Sequence, residues 1–452
     1  MDLLAAFSIF LLCVAGCMVL GQSLFWALLA GFFCFFLVGM RRGTPAATLL
    51  KMAAGGMGTS WKVLRILLLL GLLTALWRAG GTVAFFVWGG IQFITPRTFV
   101  LGAFGLAAVF SLAFGSSFGV VGTAGIILMA IARSGGASLP VTAGAVMSGI
   151  YVGERLSPAS SSAALTAAVA GTDQRSFQLR MWRTTPAPLL LTLALYGVLS
   201  VLYPIQTVDA QIISSLEGGF SLTWPVVLPA AALLILPWIN VSAMWAILVS
   251  CVLSAGCALL VQRIPAGELL RACILGYRPV QPELADILSG GGLISMVNVV
   301  LIVIMSCAYS GMFNGTGMLA PVTDRVGRLV ERFGLFTAHV AVSLCCCALF
   351  CNQTVGIVMD AQLLGKEYQR RKLPALDLAE HIGNSVINLA GLVPWAIASS
   401  VPLTTMEVGV EALPLAFYLW ILPLWCWGTS IKKDDRKGAA IHGQSDRRPA
   451  NL

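Results

Sequence analysis

Apolar runs long enough to cross a bilayer recur along this chain from Leu3 to Trp427, separated by short loops that carry arginine and lysine. A segment buried in lipid must satisfy its backbone N–H and C=O groups internally, which leaves helices or a closed barrel. Barrel strands would alternate apolar and polar residues, and these runs do not. The chain therefore reads as an all-α polytopic membrane protein with about 11–13 transmembrane or half-membrane helices. Composition agrees: at 58% hydrophobic and 10% charged, 452 residues hold more apolar side chain than a soluble core could bury. The net charge of +9 sits in clusters between the runs, a positive-inside pattern that sets orientation and gives no reason to invoke nucleic acid. Twelve cysteines lie almost wholly inside apolar runs, Cys345, Cys346 and Cys347 among them, and read as small apolar side chains.

In chain order, residues 1–61 hold two spans, 3–20 and 23–39, and a basic loop with Arg41, Arg42 and Lys51. The N-terminus lacks a basic region and a cleavage site, so it reads as a retained first span. Residues 62–262 form a first repeat and the spans after it, 263–291 a polar connection, 292–430 a second repeat, and 431–452 a solvated tail. Around Trp77–Gly81 the sequence allows either a tight turn or one kinked helix. Placing the basic loops inside puts both termini in the cytoplasm.

The stretch from Leu139 to Asp173 carries the most information. It begins as an apolar helix, places Glu154 and Arg155 at membrane depth, breaks at Ser157-Pro158, and runs through Ser160, Ser161 and Ser162 before turning apolar again. The apolar segments on either side read as half-bilayer length. Broken helices at such depth are tolerated where they line a cavity, and their free backbone groups hold ions. Glu154 is either a titrating group or an ion-pair partner of Arg155. A second break lies upstream in residues 115–125, where Ser116, Ser117 and Thr123 stand among four glycines. Gly115–Gly119 matches the G-x-S-x-G nucleophile elbow formally, but no strand precedes it and no His or Asp partner can be assigned, so an enzyme is not expected.

The second half echoes the first. The run 335–350 leads into Asn352, Gln353 and Thr354 and then a half-span to Asp360; Leu373-Pro374 then opens a segment as Leu139-Pro140 did. Leu373 follows Leu139 at a separation of 234, and Asn352 follows Ser116 at 236. Paired breaks in two halves point to a transporter site at the repeat interface. Asn384 and Asn388, four apart, should share a helical face. His381 reads as interfacial, and Asp360, Asp377 and Glu380 read with the charged cluster 366–372 as a cytoplasmic loop.

The order GTAGIILMAIA, LPVTAGAVMSGIYVGERLSPASSSAAL and AVAGTD resembles the signature region of the NhaC-type sodium/proton antiporters of the ion transporter superfamily. The likeness runs from about Leu64 to Thr185 and resumes from Gly290 to about Val410, where KEYQRRKLPALDLAEHIGN and LVPW follow in matching order. It implies an inner-membrane secondary transporter with inverted repeats and alternating access. The departures are specific. Where the family has GDKMSPLSDTTN, this chain has GERLSPASSSAA, which keeps the first acid as Glu154 and the base as Arg155 but puts Ser161 where the second acid would be. Acidic positions of the second half appear as Asn352 and as Gly383-Asn384.

The expected function is sodium/proton antiport. The alternatives are cation-coupled exchange of a small organic ion, such as an amino acid or carboxylic acid, and a passive or inactive membrane protein. The expected site comprises Ser116, Ser117, Thr123, Glu154, Ser157, Ser160, Ser161, Asn352, Gln353, Thr354, Asn384 and Asn388. No cofactor or resident metal is expected; transported sodium would occupy the same residues. The expected partners are small ions or an organic ion, the lipid bilayer, and a second copy in a homodimer.

Overall fold

The computed structural model describes residues 2–59, 61–93, 97–115, 117–205, 210–239, 241–317 and 320–430. Almost every apolar run in them forms a helix. Leu24–Arg41, Ser117–Ser134, Met244–Val261 and Ile294–Phe313 are each long and apolar enough to cross a membrane alone. Four further pairs are bent by 48° to 103° at short breaks. One of these settles the Trp77–Gly81 question: Trp61–Ala79 and Thr82–Phe93 are two helices, bent by 63° at a turn in which Gly81 takes φ +81°. Large apolar side chains such as Leu12, Leu190, Val252 and Leu260 stay exposed on the outside, as a lipid-facing surface requires. The predicted tail, 431–452, lies outside the described residues.

Four consecutive helices recur at one fixed offset. Phe99–Phe114, Ser117–Ser134, Leu139–Leu156 and Ser161–Ala170 are matched by Leu335–Phe350, Gln353–Arg370, Ala375–Leu392 and Ile397–Met406. Both ends of every helix in the second set carry the number of their counterpart raised by 236. Backbone conformation carries the same period. Gly115, Gly136 and Gly171 have φ of 64°, 60° and 78°, and their counterparts at that offset, Cys351, Lys372 and Glu407, have φ of 55°, 54° and 57°. Such angles disfavour residues with a Cβ by about 1–2 kcal/mol. The turns of the second copy thus keep a geometry for which only the first copy has glycine. The Leu-Pro register read from sequence is therefore slightly out of phase; the prolines that correspond are Pro158 and Pro394, one in each break.

The copies run in opposite senses. Arg133, at the end of Ser117–Ser134, donates to the Met406 carbonyl at 3.0 Å and pairs with Glu407 at 3.2 Å, where the second copy's broken helix ends. At the other face Arg180, just after the first copy's broken helix, pairs with Asp377 and Glu380 at the start of the second copy's. Each broken helix begins beside the end of the other, so the two are antiparallel.

Two predicted half-lengths become full ones. Leu139–Leu156 has 18 residues, about 27 Å of helix, and the helix from Gln353 runs past Asp360 to Arg370. Leu139–Leu156 lies backbone to backbone against Phe99–Phe114: a Cβ on Gly153 would overlap the Ser111 carbonyl. Small residues permit this approach, which gives membrane helices contact area where the hydrophobic effect offers none.

Candidate functional site at the crossing of two breaks

Pro158 cannot continue the helix that ends at Leu156, and Ser157 is already extended (φ −69°, ψ 135°). The chain restarts at Ser160, whose hydroxyl accepts from the Ala163 N–H at 3.2 Å and donates to the Glu154 carbonyl at 2.5 Å. This cap holds Glu154 in place. Its carboxylate is buried, 5% exposed; Oε2 accepts from the Ser117 backbone N–H at 3.0 Å and Oε1 from the Ser162 hydroxyl at 2.6 Å. Ser162 Oγ also lies 3.1 Å from Gln353 Oε1, and Gln353 Nε2 donates to the Ile387 carbonyl at 2.9 Å. Ser162 has one proton to give and two acceptors in reach. The breaks of the two copies thus meet through Glu154, Ser162 and Gln353.

Arg155 is not the counter-ion. Its guanidinium is fully buried and turns away from Glu154: Nη1 donates to Thr185 Oγ1 at 2.5 Å and Tyr418 at 3.2 Å, and Nη2 to Asn384 Oδ1 at 2.5 Å and to Thr184. Nε has no hydrogen-bond partner. Every acceptor is neutral, so of the two alternatives for Glu154 the ion pair with Arg155 does not form, and the two are separate buried charges. A buried charge without a compensating partner costs several kcal/mol. Each site is therefore relieved when something arrives, a proton or cation at Glu154, an anionic group at Arg155. Thr184 and Asn384 also line a cavity of about 660 Å³ that holds Arg180, Arg371, Glu380 and His381.

The other predicted residues divide. Ser117, Ser160, Gln353 and Asn384 belong to these two networks. Ser157 is buried, but its hydroxyl accepts from the Ala159 N–H at 3.2 Å; Thr123 donates to the Gly119 and Val120 carbonyls of its own helix. Asn352 caps its helix, accepting from the Thr354 N–H at 2.9 Å. Ser161 and Thr354 are exposed, and their neighbours Ser162 and Gln353 make the contacts instead. Ser116 lies outside the described residues. Asn384 and Asn388 do not share one helical face, because Ser385 (φ −124°, ψ −80°) breaks the helix between them. Asn388 Nδ2 donates to Gly383 at 3.2 Å and its buried Oδ1 has no partner.

The loop assignment of Asp360, Asp377 and Glu380 is overturned, since Asp377 and Glu380 lie in the helix Ala375–Asn384. Asp360 is fully buried in the middle of Gln353–Arg370, with His339 Nε2 3.0 Å from its Oδ2 and the Ser343 hydroxyl donating to Oδ1 at 2.9 Å. His381 is half-buried in the last turn of Ala375–Asn384 and bonded to Tyr368, and Tyr368 also lies 3.0 Å from His339 Nδ1. Sequence reasoning missed His339 because it sits in an apolar run with no polar neighbour to mark it.

Residues 175–429 match the Na+/H+ antiporter family. The chain belongs to that family. It is a multi-pass membrane protein and a secondary transporter, not an enzyme. Across 377 residues it is 26% identical to the malate-2H(+)/Na(+)-lactate antiporter of Bacillus subtilis, covering 82% of this chain and 81% of that protein. It is 25% identical to the Na(+)/H(+) antiporter NhaC of the same organism over 407 residues, 84% and 86% of the two chains. To the arginine/ornithine antiporter ArcD of Halobacterium salinarum it is 28% identical over 339 residues, 73% and 70% of the two.

Proposed function

We propose that this protein exchanges sodium for protons across a bacterial-type inner membrane, with Glu154 binding one ion or the other. The observation that carries this is a buried carboxylate at the crossing of two antiparallel broken helices, held by one amide and one hydroxyl and by no cationic side chain among the described residues. Such a group is either protonated or balanced by a cation, and the two states exclude each other at one carboxylate. Alternating access follows if the inverted copies rock about the Glu154–Ser162–Gln353 link and expose it to each side in turn. The face bearing Arg175, Arg180, Arg183, Arg370, Arg371 and Lys372 is cytoplasmic by the positive-inside rule. The test uses purified protein in liposomes with a trapped pH dye. A sodium jump outside should drive protons out of the wild-type lumen, and Glu154→Gln should leave no sodium-driven change. Wild-type proton movement indifferent to sodium would overturn the reading.

A second reading is supported by Arg155. Its buried guanidinium has neutral acceptors alone, and two of them line the cavity, which suits the carboxylate of an organic ion. The relatives named for malate, lactate, arginine and ornithine exchange make this chemistry reasonable. Labelled malate or arginine entering the same liposomes in exchange for unlabelled solute, and failing to do so with Arg155→Met, would favour it.

A further inference from the structure

The cluster of His339, Asp360, Tyr368 and His381 takes no part in the Glu154 site, yet it puts a carboxylate, two imidazoles and a phenol inside the membrane domain. Asp360 and His339 are 0% exposed. His339 Nε2 and Asp360 Oδ2 stand 3.0 Å apart, although neither atom makes a directed hydrogen bond. The opposite ring nitrogen of His339, Nδ1, lies 3.0 Å from the Tyr368 hydroxyl, which bonds on its other side to His381 Nδ1. His381 lines the 660 Å³ cavity. Two hydrogen bonds and one 3.0 Å ion-pair contact therefore lead from the cavity to a buried carboxylate. Its inner end continues through Ser343, which donates to Asp360 and lies 2.9 Å from the Ser385 hydroxyl, next to Asn384.

Architecture does not require this polarity. The equivalent positions of the first copy are Ala103, Ala124, Ala132 and Ala145, all buried, so the same four-helix fold closes with methyl groups at every one of these places. A buried ionisable group in a membrane domain is costly and marks an ion pathway where it is kept. Asp360 is also placed for coupling. It shares one helix with Gln353, two turns or about 10 Å further along the same face, and Gln353 reaches Ser162 and so Glu154.

We infer that Asp360 and His339 form a second proton site, loaded from the cavity through His381 and Tyr368 and coupled to Glu154 through the helix Gln353–Arg370. This rests on the exchange reading above. A proton taken by His381 passes along the Tyr368 hydroxyl, which gives its own proton to His339 Nδ1 as it accepts another. The imidazole then releases the proton on Nε2 to Asp360, so His381, Tyr368 and His339 return to their starting charge, each imidazole in its other tautomer, and Asp360 ends protonated. Other ionisable groups stand nearby. Cys346 and Cys347 lie close to Asp360 on the helix that carries His339; Asp377, Glu380 and Arg371 act on Tyr368 from the cavity; and Glu331, on the helix packed outside, is tied up with Arg370.

Infrared difference spectra of the purified full chain between acid and alkaline pH should contain a protonated-carboxyl band that Asp360→Asn removes and Glu154→Gln leaves in place. In liposomes, Tyr368→Phe and His339→Gln should slow sodium-driven proton movement about tenfold or more and move its pH profile. Tyr368→Phe loses one oxygen, so a folding defect is not expected to hide the result. Wild-type rates and pH profiles in both variants, with the carboxyl band surviving Asp360→Asn, would make the cluster structural and overturn the inference. Absence of sodium-driven movement in the wild type would sink the exchange reading alone, because the infrared titration still reports on Asp360.

Discussion

The two inverted copies share a backbone and divide the chemistry. Where the first copy has Glu154, Arg155 and Ser162, the equivalent positions of the second are Ala390, Gly391 and Ala398. Where the second copy has His339, Asp360, Tyr368 and His381, the first has alanine four times. One copy brings a carboxylate to the crossing point; the other brings a polar line from the cavity to a second buried carboxylate, Asp360. A symmetric fold thus supports an asymmetric site, because matching breaks give both copies the same free backbone and polar placement is then a matter of side chains alone.

The sharpest way to break this comparison is to move the acid. Ala390→Glu puts a carboxylate at the place equivalent to Glu154, where Ala398 stands in for Ser162. It should lower stability by about 3 kcal/mol or more, seen as poor recovery of folded protein in detergent. Normal stability there, with restored exchange in a Glu154→Ala background, would make the copies interchangeable and end the division of labour.

Next in size is packing. Gly153 meets the Ser111 carbonyl, whereas its counterpart in the second copy is Leu389. Gly153→Ala should cost about 1–3 kcal/mol by overpacking, read as a lowered thermal midpoint in detergent, while Leu389→Ala instead leaves space. Equal effects would mean that the close approach is not particular to the first copy.

Asn384→Asp sharpens the reading of Arg155. An acid 2.5 Å from that guanidinium supplies the missing anion, so any thermal stabilisation by added carboxylates should disappear while sodium-driven proton movement persists. Carboxylate stabilisation that survives the change would place anion binding elsewhere.

The smallest effect belongs to the turns. Lys372 is exposed and keeps φ 54° where the first copy has Gly136, so Lys372→Gly should stabilise by at most about 1 kcal/mol. A clear loss of stability would show that the lysine side chain contributes more than its strained backbone costs.

Sequence alone determined the class, the two breaks and the family, and singled out Glu154 as a charge at membrane depth, because apolar length, proline and a charge in a greasy run are local properties. It also determined that the halves repeat, with the Leu-Pro pairs only slightly out of register. What it could not determine was phase and partnership. A helix restarting after a break sets its faces from its first residue, so whether Ser161 or Ser162 faces inward depends on where Ser160 caps. Asp360 looked like part of the charged segment that follows it, and only the hairpin of Leu335–Phe350 with Gln353–Arg370 turns it inward to His339. Arg155 and Glu154 are adjacent in the chain and turn to different neighbours, Asn384 and Ser162, for the same reason. Which groups meet is decided by how helices pack within each half and across the two halves of the chain, and that only the tertiary structure could supply.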